Sequence, residues 1–163
     1  MLGLGGVAGH IYSRMQRGSP GYMARAWVAQ DMSAVTAACL LVRRDIFAQV
    51  GGFDEGLPVA FNDIDFCLRV LQAGYRNVWT PYAELYHHES ASRGSEDSPE
   101  KQARFAAEVH AMKWRWGELL NSDPAYNPNL TLDSGDCSLA FPPRVGSLRC
   151  GRVAVSKNAE PVL

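Results

Sequence analysis

The stretch Phe61-Asn62-Asp63-Ile64-Asp65-Phe66-Cys67-Leu68-Arg69 decides how the rest of the chain is read. Asn62 is a favoured helix N-cap, because its side-chain oxygen accepts from amides that the first turn leaves unpaired. Asp63 and Asp65 fall in the first turn, where the helix dipole favours negative charge. Ile64, Leu68 and Leu71, with Cys67, recur at helical spacing, and Gly74 supplies the stop. The pattern predicts a helix over about 63–73. Two readings of its acidic start stay open on spacing alone. Either Asp63 and Asp65 only complement the dipole while Arg69 pairs with Asp65 at i,i+4, or a carboxylate at the helix mouth serves as a general base.

Upstream, residues 34–42 (AVTAACLLV) form a continuous apolar run, which predicts a strand buried on both faces. Residues 43–50 read as a short helix that Gly51-Gly52 ends, and 53–60 as a loop. Pro20-Gly21 marks a turn, and 22–30 a short helix. The opening Gly3-x-Gly5-x-x-Ala8, with Asp31 further on, superficially fits a dinucleotide fingerprint. That motif must follow a strand, and only Met1-Leu2 precede it here, so the reading is set aside.

Downstream, residues 76–80 and 84–87 read as short strands around Pro81. Tyr86-His87-His88-Glu89-Ser90 then opens a polar loop. Strand neighbours point to opposite faces, so one imidazole faces a cleft and binds a divalent metal, or both are ordinary strand-end histidines. Ser98-Pro99-Glu100 is a helix start. Phe105, Val109, Met112 and Trp116 follow at spacings of four, three and four, which predicts one amphipathic helix to about Leu120. Trp114 falls off that stripe, at an edge or a contact surface. Beyond Asn121 four prolines punctuate a stretch without period, and 147–163 reads as a poorly ordered tail.

The 163 residues are 47% hydrophobic and 20% charged, and 16 basic against 17 acidic residues leave a net charge of -1. That balance fits an ordinary globular domain and excludes the basic stripe of a nucleic-acid binder. A local site for a diphosphate-bearing small molecule remains open. No apolar run approaches the ~20 residues of a membrane span, and residues 1–9 lack the basic start of a signal peptide. The four cysteines, Cys39, Cys67, Cys137 and Cys150, show no CxxC pair. Cys39 and Cys67 sit in apolar runs and are expected to be buried free thiols, which fits a reducing compartment.

In order, Ala34-Val-Thr-Ala-Ala-Cys-Leu-Leu-Val-Arg-Arg44, Val50-Gly-Gly-Phe-Asp-Glu55, the 61–69 stretch, Ala73-Gly-Tyr75 and Trp79-Thr-Pro-Tyr-Ala-Glu-Leu-Tyr-His-His-Glu-Ser90 resemble the second half of family 2 glycosyltransferases. The likeness is nearest to bacterial enzymes of rhamnan, O-antigen and other surface-polysaccharide synthesis. The opening 3–10 and the 123–130 stretch fit the same subgroup.

The resemblance implies an α/β, partial GT-A (Rossmann-like) fold lacking the N-terminal nucleotide-binding half. Residues 1–121 would be its acceptor-side half and 122–163 an extension and tail. It implies transfer of a sugar from a nucleotide-sugar donor to a saccharide or lipid-linked saccharide acceptor, with inversion. The family's acidic pair falls on Asn62-Asp63, with Asn for the usual Glu, so the base is Asp63. Substrate contacts fall on Asp65, Thr36, Trp79 and Arg93, the last near the diphosphate. A Mg²⁺ or Mn²⁺ ion is implied, with His87 or His88 as ligand. Asp63-Ile-Asp65 has the spelling of the family's DxD metal motif but lies in the wrong half. The chain is accordingly expected to be a fragment, inactive alone, cytoplasmic or peripheral at the inner membrane face, and inclined to pair with a missing half or to self-associate. The competing expectation is a non-catalytic acceptor-binding or interaction module.

Overall fold

The computed structural model describes residues 1–85 and 98–144. Among the described residues five regular elements succeed one another: β1 (Gln30–Met32), α1 (Arg44–Gln49), α2 (Asn62–Gln72), β2 (Asn77–Trp79) and α3 (Pro99–Asn121). Short 3₁₀ turns at Leu4–Gly6, Tyr22–Trp27 and Ala37–Cys39 fill the connections. The mixture of helices with a small sheet is consistent with an α/β class.

Helix α3 begins as its sequence dictates. Ser98 Oγ accepts from the Lys101 amide at 3.4 Å and Pro99 holds the first helical position. Its buried face is Glu108, Met112, Trp116 and Leu120, whereas Phe105, expected on the stripe, is 46% exposed. Trp114 lies off the buried face and is 82% exposed. Helix α2 buries Phe66, Cys67, Leu68 and Val70, and these pack with Met112, Trp116 and Leu120 into the main core. Its terminus differs by one residue from the expected start. Asn62 is the first helical residue, and Phe61 occupies the cap with φ of 63°. Helix α1 ends in two glycines with φ of 82° and 66°. Arg69 donates to the Val50 carbonyl and, at 2.6 Å, to the Gly52 carbonyl, tying that turn to α2. A Cβ at Gly52 would stand 3.1 Å from the Phe47 ring, so a side chain is disfavoured there both by φ and by space.

The sheet corrects the sequence reading. It has two antiparallel three-residue strands, β1 and β2, registered Gln30↔Trp79, Asp31↔Val78 and Met32↔Asn77. Residues 34–42 are no strand. Ala34 is buried, but the chain turns through Ala37–Cys39, where Thr36 Oγ1 accepts from the Ala38 amide at 3.2 Å. Beyond the turn Leu41 is 98% exposed. Cys39 is exposed rather than buried, while burial pushes the Cys67 thiol up to about 11. A strand needs ladder partners, and apolar residues alone do not supply them. Residues 84–85 are likewise outside any strand, and the remainder of that expected strand, with His87, His88 and Arg93, lies outside the described residues.

The run's apolar side chains instead border an open groove of about 290 Å³ lined by Val35, Leu40, Leu41, Ile46, Val70 and Val78, among others. Exposed contiguous apolar surface favours association. Sedimentation velocity is therefore expected to show concentration-dependent self-association of the chain, reduced in Leu41→Lys. A monodisperse monomer across the concentration range would refute this.

The proline-punctuated stretch after α3 packs against the rest of the chain up to residue 144. Asp123 is buried and accepts from the Leu2 amide at 2.9 Å, the Ser33 hydroxyl at 2.5 Å and the Ala125 amide at 2.8 Å. Tyr126, Leu130 and Cys137 form a second small core with Met1. Packing thus runs on without a break at residue 121.

Candidate active site

Asp63, Thr36 and Trp79 line one cavity of about 380 Å³. Three elements bring them together. Asp63 is the second residue of α2 and half-buried. Its Oδ2 accepts from the Ala37 amide at 3.0 Å and its Oδ1 from the Ile64 amide at 2.9 Å. A carboxylate has about four acceptor lone pairs, so roughly two remain for a hydroxyl in the cavity. Asn62 supports this arrangement by accepting from the Asp63 amide at 2.8 Å; it is not among the residues lining the cavity.

Thr36 sits where the chain leaves the core beside Asp63. Trp79 is the last residue of β2. Strand alternation turns Val78 to solvent and lays Trp79 along the cavity, while Asn77 points inward. Asn77 Nδ2 donates to the Ser33 carbonyl at 3.1 Å and the Cys67 carbonyl at 2.9 Å. One buried amide thereby fixes β2, the segment before Thr36 and α2 relative to one another.

Asp65 does not join them. It is fully buried and absent from the cavity wall. Its Oδ2 accepts from Arg69 Nε at 2.8 Å, and its Oδ1 from an Arg115 guanidinium N–H at 2.6 Å and from Trp116 Nε1 at 2.9 Å. Arg115 also reaches Asp54 at 2.7 Å. With every oxygen engaged by α2 and α3, Asp65 has the geometry of a packing anchor and not of a substrate contact. The Arg115 hydrogen bond holds the Asp54 carboxyl below its usual value.

Glu108 carries no signal in local spacing or motif. It lies on α3, 2% exposed, and accepts from the Val59 amide at 3.0 Å and the Ala60 amide at 3.1 Å. These two amides belong to the loop that delivers Phe61 and Asp63 to the cavity. Glu108→Ala would leave two half-buried amides without their carboxylate partner, at up to about 1 kcal/mol for each lost hydrogen bond. The expected result is faster amide exchange across residues 57–64 than elsewhere in the chain. Unchanged exchange there would remove Glu108 from its positioning role. His10 is a further cavity-lining residue that spacing did not single out.

Among the described residues no group of three or more His, Cys, Asp or Glu gathers to hold a metal ion. The expected ligands His87 and His88, and Arg93, fall outside the described residues, so no step is assigned to a metal. No helix among the described residues is long and apolar enough to cross a membrane.

No family model matches the chain, and no solved structure matches it. Curated proteins do. The chain is 58% identical over 143 residues to an uncharacterised protein of Sinorhizobium fredii, covering 87% of this chain and 16% of that one. It is 38% identical over 148 residues to the O-antigen biosynthesis protein RfbC of Myxococcus xanthus, covering 90% of this chain and 11% of that one. It is 38% identical over 87 residues to the N-acetylglucosaminyl-diphospho-decaprenol L-rhamnosyltransferase of Mycobacterium tuberculosis, covering 50% of this chain and 28% of that one. These likenesses support a glycosyltransferase-like family. The matched stretch spans less than a third of the length of each of these relatives.

Proposed function

We propose that this chain is the acceptor-side, base-bearing part of an inverting, family 2 glycosyltransferase of GT-A type acting in surface-polysaccharide synthesis. The observation that carries the proposal is the placement of Asp63. A half-buried carboxylate stands at a helix mouth, in the wall of a cavity shared with Thr36 and Trp79, and keeps acceptor capacity free. The names of two relatives, one an O-antigen biosynthesis protein and one a rhamnosyltransferase, point the same way.

On this reading the acceptor hydroxyl enters the cavity and hydrogen-bonds to Asp63. Asp63 takes its proton as the oxygen attacks the anomeric carbon of a nucleotide-sugar, and the nucleoside diphosphate leaves with the bonding electron pair. The Ala37 and Ile64 amides hold the carboxylate in one orientation, which is the condition for efficient general-base catalysis. The divalent ion and the diphosphate contacts are assigned to His87, His88 and Arg93 only by resemblance, and donor binding is assigned to a complementary half. The test is a transfer assay, run with the complementary donor-binding half present, comparing Asp63→Asn with the unsubstituted chain, with acceptor binding measured alongside.

A further inference from the structure

The cavity beside Asp63 does not end at Trp79. A second, mainly apolar cavity of about 210 Å³ shares Ile11, Met32 and Trp79 with it. A third, more open one of about 420 Å³ shares Tyr12, Met15, Ala26 and Trp79 with the second. Trp79 thus borders all three, and the three adjoin one another as neighbouring parts of one surface. The far part carries two exposed aromatics, Trp27 at 56% and Tyr82 at 85%. The same part is lined by an ion pair, Arg17 with Glu84 at 2.5 Å, and by Gln16 and Thr80.

The walls of these cavities are held in place. The Tyr12 hydroxyl accepts from the Tyr22 amide at 3.0 Å, and Trp27 Nε1 donates to the Gly18 carbonyl at 3.2 Å. Arg25 ties the adjoining floor together through Gln30 at 2.7 Å and the Ala125 carbonyl at 3.2 Å.

Aromatic faces interleaved with charged and amide groups suit a ligand that is apolar on its ring faces and hydroxylated at its rim. A pyranose has that character: its axial C–H groups pack on an aromatic ring while its hydroxyls bond sideways. An isoprenoid tail does not match, because covering the Arg17–Glu84 pair with hydrocarbon would strip water from two charges without return. We propose that the Trp27–Tyr82 end of this surface is a distal saccharide subsite, so that the acceptor is an extended sugar chain of at least two residues. Its terminal residue lies beside Asp63 and its preceding residue beyond Trp79. The inference rests on the glycosyltransferase reading of the Asp63 cavity and adds the class of acceptor to it.

The test is a tryptophan-fluorescence and saturation-transfer titration of the full chain. The probes are L-rhamnose with its di- and trisaccharide, and N-acetylglucosamine with its di- and trisaccharide. One series is expected to tighten roughly 3- to 10-fold per added residue, the span of one ring contact. Tyr82→Ala, at a position too exposed to matter for folding, should abolish that gain, as should Trp27→Ala. Trp114→Ala, on α3 away from this surface, should keep it. Single-sugar binding without any gain in either series overturns the subsite and leaves the Asp63 reading standing. A gain that survives the Trp27→Ala, Tyr82→Ala double variant also overturns the subsite. Displacement of the trisaccharide by geranyl phosphate would assign the surface to a lipid tail instead. Absence of binding by every probe overturns the subsite and the acceptor reading together.

Discussion

Asp65→Ala is expected to lower the unfolding free energy of the chain by about 3 kcal/mol, a large share of a domain's stability. The substitution removes the one carboxylate that Arg69, Arg115 and Trp116 Nε1 share, at 2.8, 2.6 and 2.9 Å. Asp65 itself is fully buried, so its donors cannot simply turn to water in place. Breaking a buried ion pair from one side costs about 3–5 kcal/mol, against about 5–15 kcal/mol of total stability for a domain. Arg115 is 37% exposed and regains some hydration, and it keeps Asp54. These two facts set the expected loss at the lower end, about 3 kcal/mol. Urea denaturation followed by tryptophan fluorescence measures it, since Trp116 reports from inside the cluster. A loss under about 1 kcal/mol, typical of an exposed pair, would show that the cluster contributes little.

The same network carries a pH dependence of known sign. Arg115 lowers the folded-state pKa of Asp54 below the usual value. Its contribution is complete above the unfolded-state pKa and drains away as pH falls through the lower folded value. Any weakening from this pair is therefore confined to the acid side. At neutral pH the pair is fully charged.

How much of this was legible in the sequence depends on the range of the interaction concerned. Helices α2 and α3 were legible because caps and apolar spacing act within one or two turns. Ser98-Pro99 and the 64–71 pattern needed no partner to be recognised. The Asp65–Arg69 pair was legible for the same reason, being i,i+4. Its other partners, Arg115 and Trp116, lie fifty and more residues away, so nothing local spoke against the substrate contact that the resemblance implied for Asp65. Residues 34–42 failed differently. An apolar run records that burial is wanted but not by what, and the described chain offers no further strand for it to pair with. The strand reading therefore gave way to a turn with Leu41 in solvent. Glu108 was invisible because a glutamate in a helix ordinarily faces water. Only the approach of the Val59 and Ala60 amides reveals why this one is buried.

Asp63→Asn should abolish sugar transfer while leaving the fold and the cavity intact. Asparagine is nearly isosteric, and its one remaining oxygen continues to accept from either the Ala37 or the Ile64 amide. The structural cost is one hydrogen bond near the surface, about 1 kcal/mol, so the thermal midpoint should fall by only a few degrees. The chemical cost is larger. An amide cannot take the acceptor proton as the new bond forms, and loss of a positioned general base lowers rates by about 10²–10⁴-fold. Acceptor binding should change much less, because the Trp79 face and Thr36 remain. The decisive comparison is Asp63→Asn with Asp65→Asn in parallel transfer and melting experiments. The first should lose turnover and keep its melt, and the second should lose its melt first. If Asp63→Asn retained turnover within tenfold of the parent, the helix-mouth carboxylate would only complement the dipole of α2, and the base would have to be sought elsewhere in the cavity.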